Sequence, residues 1–292
     1  MELNDLLQKK AIDPRQVLVL RHRPYEPELS KVLPWLAAEK PDVFNAYQQT
    51  QGEKLEKVMA NDAGYVASFI GCEAGKAVFV GLYSIGASRP ITVEEYWRVP
   101  AHIELKRFGM KGFTEERGRP SCLWFDLALT DFYVPWKGKL IVTWPPPERS
   151  WWRRAHRNSF PIFAVLEDNA LVADMPEWER IVFKWDELSI LPTRWRSALK
   201  EWRGIYYIYD ESDGKGYVGS AFGDENLLGR WLSYAKSGHG GNVLLRKRDP
   251  QRFRFSILQR VSPDMAVAEI TRLESAWKER LHTNAPLGLN DN

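Results

Sequence analysis

Cysteine is nearly absent from this chain: only Cys72 and Cys122 occur, without a CxxC pair. Such scarcity excludes a disulfide framework, and the five histidines (His22, His102, His156, His239 and His282) are too scattered to complete a structural zinc site. Long hydrophobic runs are missing too. The longest, such as Ala77-Val78-Phe79-Val80 and Leu140-Ile141-Val142, are strand-sized, far short of the roughly eighteen apolar residues that a membrane span needs. The opening MELNDLLQKK has no charged-then-apolar signal pattern, so the expectation is a soluble, cytoplasmic protein without a membrane partner. No internal repeat or low-complexity tract is present, and charge of one sign does not dominate. Residues 1–200 carry 28 basic and 26 acidic side chains and residues 201–292 carry 13 and 12, so the net charge of +3 belongs to neither half and names no partner.

What is present is apolar and aromatic mass. With 44% hydrophobic and 13% aromatic residues in 292, the chain can build two domains. Ile190-Leu191-Pro192-Thr193 interrupts the pattern, a short amphipathic stretch Trp195 to Trp202 follows, and Gly204 opens a new β run. These signals predict domains at 1–195 and 203–292. In the first, Asp42 to Ala60 reads as a helix. Runs at Tyr65–Ile70, Ala77–Ile85, His102–Phe108, Cys122–Leu129, Leu140–Trp144 and Phe160–Leu166 read as strands. Many short strands with few helices predict a β-rich α+β domain, a small barrel or curved sheet with a helix packed on it. The strand texture of residues 65–83 is similar to that of PUA-like barrels, which read RNA or modified bases.

In the second domain, Gly204–Tyr209 and Gly216–Ala221 are two β runs joined by a stretch ending in Asp213-Gly214, a hairpin signal. A helix is predicted over Glu225–Lys236 and a strand over Arg252–Leu258. A final helix is predicted to be capped by Ser262 with Pro263 at its first position, and to end near Leu281. The order is β-β-α-β-α.

Two triplets in that hairpin, Gly204-Ile205-Tyr206 and Tyr217-Val218-Gly219, set tyrosines eleven residues apart on adjacent strands. Arg230 follows on the next helix with Tyr234 one turn later, Glu274 lies on the last helix, and Gly288-Leu289-Asn290 closes the chain. In this order and spacing, residues 203–292 resemble the GIY-YIG nucleases, whose name records the two triplets. Tyr217–Ala221 and Gly238–Asn242 are further similar to a bacterial branch in which the nuclease is fused behind another domain. The resemblance implies catalytic roles for Tyr206, Tyr217, Arg230, Tyr234, Glu274 and Asn290.

Phosphodiester hydrolysis needs a nucleophilic water, charge neutralisation at phosphorus and a stabilised leaving oxygen. Glu274 is the expected ligand of a single Mg²⁺ (or Mn²⁺), a hard cation that keeps most of its waters and takes one or two carboxylates plus phosphate oxygens. Arg230 supplies paired hydrogen bonds to non-bridging oxygens. Tyr206 is the candidate acceptor of the water proton, although a free phenol with a pKa of about 10 is a weak base. Tyr217 positions water or phosphate and Tyr234 supports the network. Ser220, His239, Asn242 and Asn290 are expected to hold neighbouring loops or phosphates.

The expected partner is nucleic acid, foremost double-stranded DNA, with RNA as an alternative. Arg246, Lys247, Arg248, Arg252, Arg254 and Arg260 fall within fifteen residues containing one acid, Asp249, a stripe suited to phosphates or to protecting an edge strand. Upstream, Trp124, Trp136, Trp144, Trp151 and Trp152 are interleaved with Lys137, Lys139, Arg149, Arg153, Arg154 and Arg157, and aromatic faces beside cations suit stacked or flipped bases. The reading is a DNA endonuclease whose N-terminal domain selects the site by sequence or base modification, with restriction of foreign DNA as a natural role. The sequence leaves open a repair, structure-specific or RNA-directed nuclease, and a binding module that no longer cuts. One active site cuts one strand at a time, so double-strand cleavage requires a homodimer or successive encounters.

Overall fold

The computed structural model describes residues 1–291. Its fold is α+β, and the chain divides into two compact units, Met1–Ala173 and Asp174–Asn292.

The first unit contains α1 (Leu3–Lys9), β1 (Val17–His22), α2 (Pro27–Glu39), α3 (Pro41–Gln48), α4 (Glu53–Asp62), β2 (Tyr65–Gly71), β3 (Lys76–Thr92), α5 (Val93–Arg98) and α6 (Pro100–Arg107). It continues with β4 (Ser121–Leu129), β5 (Leu140–Thr143), β6 (Trp152–Arg154) and β7 (Ile162–Val165). The strands form one curled half-barrel sheet in the order β6-β1-β2-β3-β5-β7, with β4 paired to β3. β1 and β2 are parallel, from Val17 opposite Tyr65 to His22 opposite Ile70. Every residue of β1 is buried, so it shows the continuous Val-Leu-Val-Leu run of a covered strand rather than alternation. The core gathers Leu3, Leu7, Val19, Phe69, Phe79 and Trp144.

Helices are more numerous here than the sequence reading expected, and two segments differ in kind. The single helix expected over 42–60 is two, α3 and α4. The chain between them is pulled to the sheet, where Gln49 O accepts from Phe125 N and Thr50 bridges Trp124. The expected strand 102–108 is α6. Its polar-apolar alternation was misleading, because His102 and Leu105 are buried three residues apart while Ile103 is exposed, and Pro100 occupies the first turn. The predicted strands over 65–70, 77–85, 122–129, 140–144 and 160–166 correspond to β2, β3, β4, β5 and β7, whereas β1 was not anticipated.

The second unit begins at Asp174, not near residue 203. It contains β8 (Val182–Lys184), α7 (Thr193–Glu201), β9 (Arg203–Asp210), β10 (Gly216–Ala221), α8 (Asn226–Ser237), β11 (Phe253–Val261) and α9 (Val267–Arg280). The boundary moves because β8 pairs with β11, and because Phe183 and Trp195, both buried, pack on each other while Phe183 also meets Trp231 of α8. The sheet is antiparallel, in the order β10-β9-β11-β8, with β10 at its edge. Residues along each strand alternate between two covered faces. Ile205, Tyr207 and Val218 meet Ile270, Leu273 and Trp277 of α9, while Tyr206, Tyr217 and Phe255 meet α8 through Tyr234. The last helix starts at Val267 rather than after Ser262, whose hydroxyl is bonded to the Asp264 carboxylate in a turn and caps nothing.

Candidate active site

The hairpin register places the two motif tyrosines. Tyr206 lies opposite Gly219 and Tyr217 opposite Ile208, so the two rings are diagonal neighbours on one face, centroids 6.4 Å apart. Gly219 is required at its position, since a Cβ there would run into the Tyr206 hydroxyl. Tyr234, on the buried face of α8, completes a triangle at 6.1 Å from Tyr206 and 6.3 Å from Tyr217. The Tyr206 and Tyr234 hydroxyls are 3.1 Å apart, and Arg230 Nε and Nη2 donate to Tyr206 Oη at 3.4 and 3.3 Å. One helical turn separates Arg230 from Tyr234 and puts the guanidinium 5.8 Å over the Tyr234 ring.

The electrostatics of this cluster follow from its burial. Tyr206 and Tyr234 are fully buried, and desolvation pushes both hydroxyls above the ordinary phenol range. For Tyr206 the Arg230 charge opposes that rise without cancelling it; for Tyr234 the neighbouring tyrosines add to it. Arg230 is pushed up in turn, chiefly by Tyr206, and is a fixed cation. The hydroxyls therefore act as neutral hydrogen-bonding groups, and Tyr206 is not a ready base in this cluster by itself.

Glu274 is placed differently. The pleat turns Val218 and Ser220 to the opposite face from Tyr217 and Gly219, and it is there that Ser220 Oγ donates to Glu274 Oε2. Lys278, one turn on, holds Glu274 Oε1 at 2.9 Å. The structure thus brings Tyr206, Tyr217, Arg230 and Tyr234 together as one cluster and Glu274, Ser220 and Lys278 as another, the two joined through edge strand β10. Lys278 was missed from sequence, although its i,i+4 spacing from Glu274 was a usable signal. Among the described residues no group of three or more His, Cys, Asp or Glu side chains could hold a metal. The oxygens of Glu274 and Ser220 nevertheless suit one hard divalent ion that keeps most of its waters.

Other expected site residues turn out to shape the scaffold. Asn290 is buried, and its amide both accepts from Val218 N at 3.0 Å and donates to Val218 O at 2.8 Å. It caps the open edge of β10 as a neighbouring strand would, which makes it a positioning residue rather than a catalytic one. Asn242 Oδ1 accepts from Leu245 N at 2.8 Å and His239 Nδ1 from Gly241 N at 3.0 Å, so both side chains fix the loop after α8. The basic stripe divides. Arg248 grips Asp210 and Asp213 at 2.8 Å each, Arg254 pairs with Glu211 at 2.6 Å, and Arg260 lies 4.1 Å over the Trp202 ring. Burial works against charge on Asp210, but its bonds to Ser212 and Arg248 outweigh that and hold its carboxyl below the usual range. Arg246, Lys247 and Arg252 are exposed and outside any ion pair or ring contact shown among the described residues, and Arg260, also exposed, is outside any ion pair but lies against Trp202.

In the first unit, four of the five clustered tryptophans are buried or partly buried. Trp144 is buried, Trp136 stacks on Tyr133, Trp124 is partly buried near His102, and Trp152 lies in β6, opposite Leu20 of β1, with its side chain partly buried. Trp151 alone is exposed, at 39%, and it lines a cleft of about 1180 Å³. The chain matches no protein-family model, no curated protein and no solved structure.

Proposed function

We propose that this protein is a metal-dependent DNA endonuclease of the GIY-YIG type, with hydrolysis in the second unit and target selection, by sequence or base modification, in the first. The observation that carries this reading is the hydrogen-bonded cluster of Tyr206, Tyr234 and Arg230, with Tyr217 beside it, built from the residues of the motif in the motif's order. Tyr206 and Tyr234 are buried while Tyr217 and Arg230 stay partly exposed beside them, so the cluster keeps donors within reach of a phosphate.

Arg230 would donate to non-bridging oxygens, Tyr217 would position the phosphate or water, and Tyr206, held by Arg230 and Tyr234, would orient the attacking water. Glu274, with Ser220 beside it, would hold a Mg²⁺ or Mn²⁺ ion from the other side of β10. When bound, such an ion neutralises charge on the phosphate and lowers the pKa of its water. Lys278 competes for the same carboxylate, so its ammonium must yield or turn to a phosphate oxygen. That ion pair favours, as a second reading, a protein that binds nucleic acid without cutting it.

A plasmid assay decides between them. Cleavage with Mg²⁺ or Mn²⁺, blocked by chelation and lost in Glu274→Gln and Arg230→Ala with nucleic-acid binding retained, is the expected result. Wild-type rates in either variant would sink the assignment.

A further inference from the structure

The first unit carries a site of its own. Its cleft lies where β1 and β2 end, walled by aromatic side chains that include Tyr47, Tyr96, Phe113 and Trp151. Arg21 and His22, the last residues of β1, line it from the buried side. Arg21 is 1% exposed, and its guanidinium lies 4.7 Å from the Trp144 ring. Nη2 donates to the Glu148 carbonyl, but Nε and Nη1 have no hydrogen-bond partner, and the Glu148 carboxylate is 3.9 Å from Nη1. An arginine buried with most of its donors unused is unfavourable unless something fills them. His22 repeats the pattern: it is 4% exposed, burial keeps its imidazole neutral, and Nε2 is unpartnered.

The second hydrogen of Nη2, together with the hydrogen of Nε or Nη1 on its side, makes a pair of parallel, coplanar donors on a residue that lines the cleft. Exposed cations, Arg23, Lys111 and Arg149, stand at the mouth, alongside the acids Glu26, Glu53 and Glu148. A lone phosphate would leave the aromatic walls unused. A flat ring with two neighbouring acceptors at depth and a phosphate at the mouth would use walls, fork and rim together. Guanine presents such a pair in O6 and N7, whereas adenine sets an amino donor where O6 would be. We propose that this cleft binds the base of a guanine nucleotide, read by the paired donors of the Arg21 guanidinium. That the nucleotide is one swung out of a DNA strand rests on the nuclease reading given above; the base site does not.

The test uses the full chain in chelator, so that no cleavage occurs, with calorimetric titration of dGMP, dAMP, dCMP and inorganic phosphate. The expected result is binding of dGMP at least about tenfold tighter than dAMP, the difference of one good base pairing with an arginine fork, and no binding of phosphate. Arg21→Lys, which keeps the charge but loses the fork, should weaken dGMP about tenfold or more. Trp151→Ala, at an exposed position, should weaken it with the melting temperature unchanged, so that the site is tested even if Arg21 variants unfold. Equal affinity for dAMP, Arg21-dependent binding of phosphate as tight as that of dGMP, or no dGMP binding at millimolar concentration overturns the proposal. Competition between dGMP and a duplex containing an unpaired guanine supports the strand as source, and its absence overturns that part. Loss of plasmid cleavage with dGMP binding intact would instead count against the nuclease reading alone.

Discussion

Tyr206 is the residue on which the tyrosine and arginine cluster converges. Its hydroxyl is buried, takes hydrogen bonds from Arg230 and shares one with Tyr234, and is pushed above the phenol range by desolvation. Tyr206→Phe keeps the ring against Tyr217 and Tyr234, so it should cost only about 1–2 kcal/mol of stability while lowering the cleavage rate on the order of a hundredfold. If the hydroxyl accepts the water proton, the wild-type rate should climb with pH and show no plateau below about pH 10. A plateau near neutrality, or full activity in the phenylalanine variant, removes Tyr206 from the proton path. His22 gives a second titration, of stability. Burial lowers its pKa from 6.5 to about 4, so the folded state keeps it neutral where the unfolded chain would take up a proton. The stability this represents is fully present above about pH 6.5 and is lost as pH falls toward 4, some 3 kcal/mol in order of magnitude. Unfolding followed by urea at pH 7 and pH 4.5 should show the loss, and His22→Gln should reduce its pH dependence; an equal pH dependence in the variant would refute the account.

At the scale of elements, the turn Leu245–Lys247 and the neighbouring Pro250–Arg252 carry the cations left over after β9 and β11 have used theirs. Arg248 and Arg254 tie the β9–β10 connection through Asp210, Asp213 and Glu211, and they are not available to phosphates without breaking those pairs. Replacing Arg246, Lys247 and Arg252 together by glutamine should therefore weaken DNA binding and flatten its salt dependence by about one unit of slope for every phosphate that is no longer neutralised. Arg248→Gln should leave the slope unchanged and lower the melting temperature. Filter-binding titrations across a salt series separate the two, and an unchanged slope in the triple variant would make the turn a solvated surface. The same contrast marks what the sequence could tell. The ββαβα order and the placing of Tyr206, Tyr217, Arg230 and Tyr234 on facing elements follow from local periodicity and motif spacing, whereas the bond between Ser220 and Glu274 came only with the fold. Which arginines of a basic run find carboxylates depends on hairpin closure, and that Asn290 caps β10 depends on a return of the chain over 72 residues. The buried Arg21 gave no signal, because β1 reads as an apolar run whose last residues look like its exposed end.

For the molecule as a whole, the decisive boundary is the one at Asp174. A fragment cut at residue 203, where the motif begins, would discard β8, the turn Trp185–Ile190 and α7. That segment buries Ile181, Phe183, Leu188, Ile190, Trp195 and Leu199, and it covers Trp231 of α8, while Trp185 Nε1 donates to Tyr234 O at 3.0 Å. At about 1.5–3 kcal/mol for each large apolar side chain returned to water, removing this layer costs as much as the roughly 5–15 kcal/mol that holds a typical domain together. The fragment 174–292 should therefore melt cooperatively and cut without preference, and the fragment 203–292 should be unfolded. Circular dichroism melts of the two fragments decide the matter. A cooperative transition in 203–292 within a few degrees of that in 174–292 would mean that β8 and α7 merely lie on the sheet of β9, β10 and β11, and that the smaller ββαβα core positions Tyr206 and Arg230 without them.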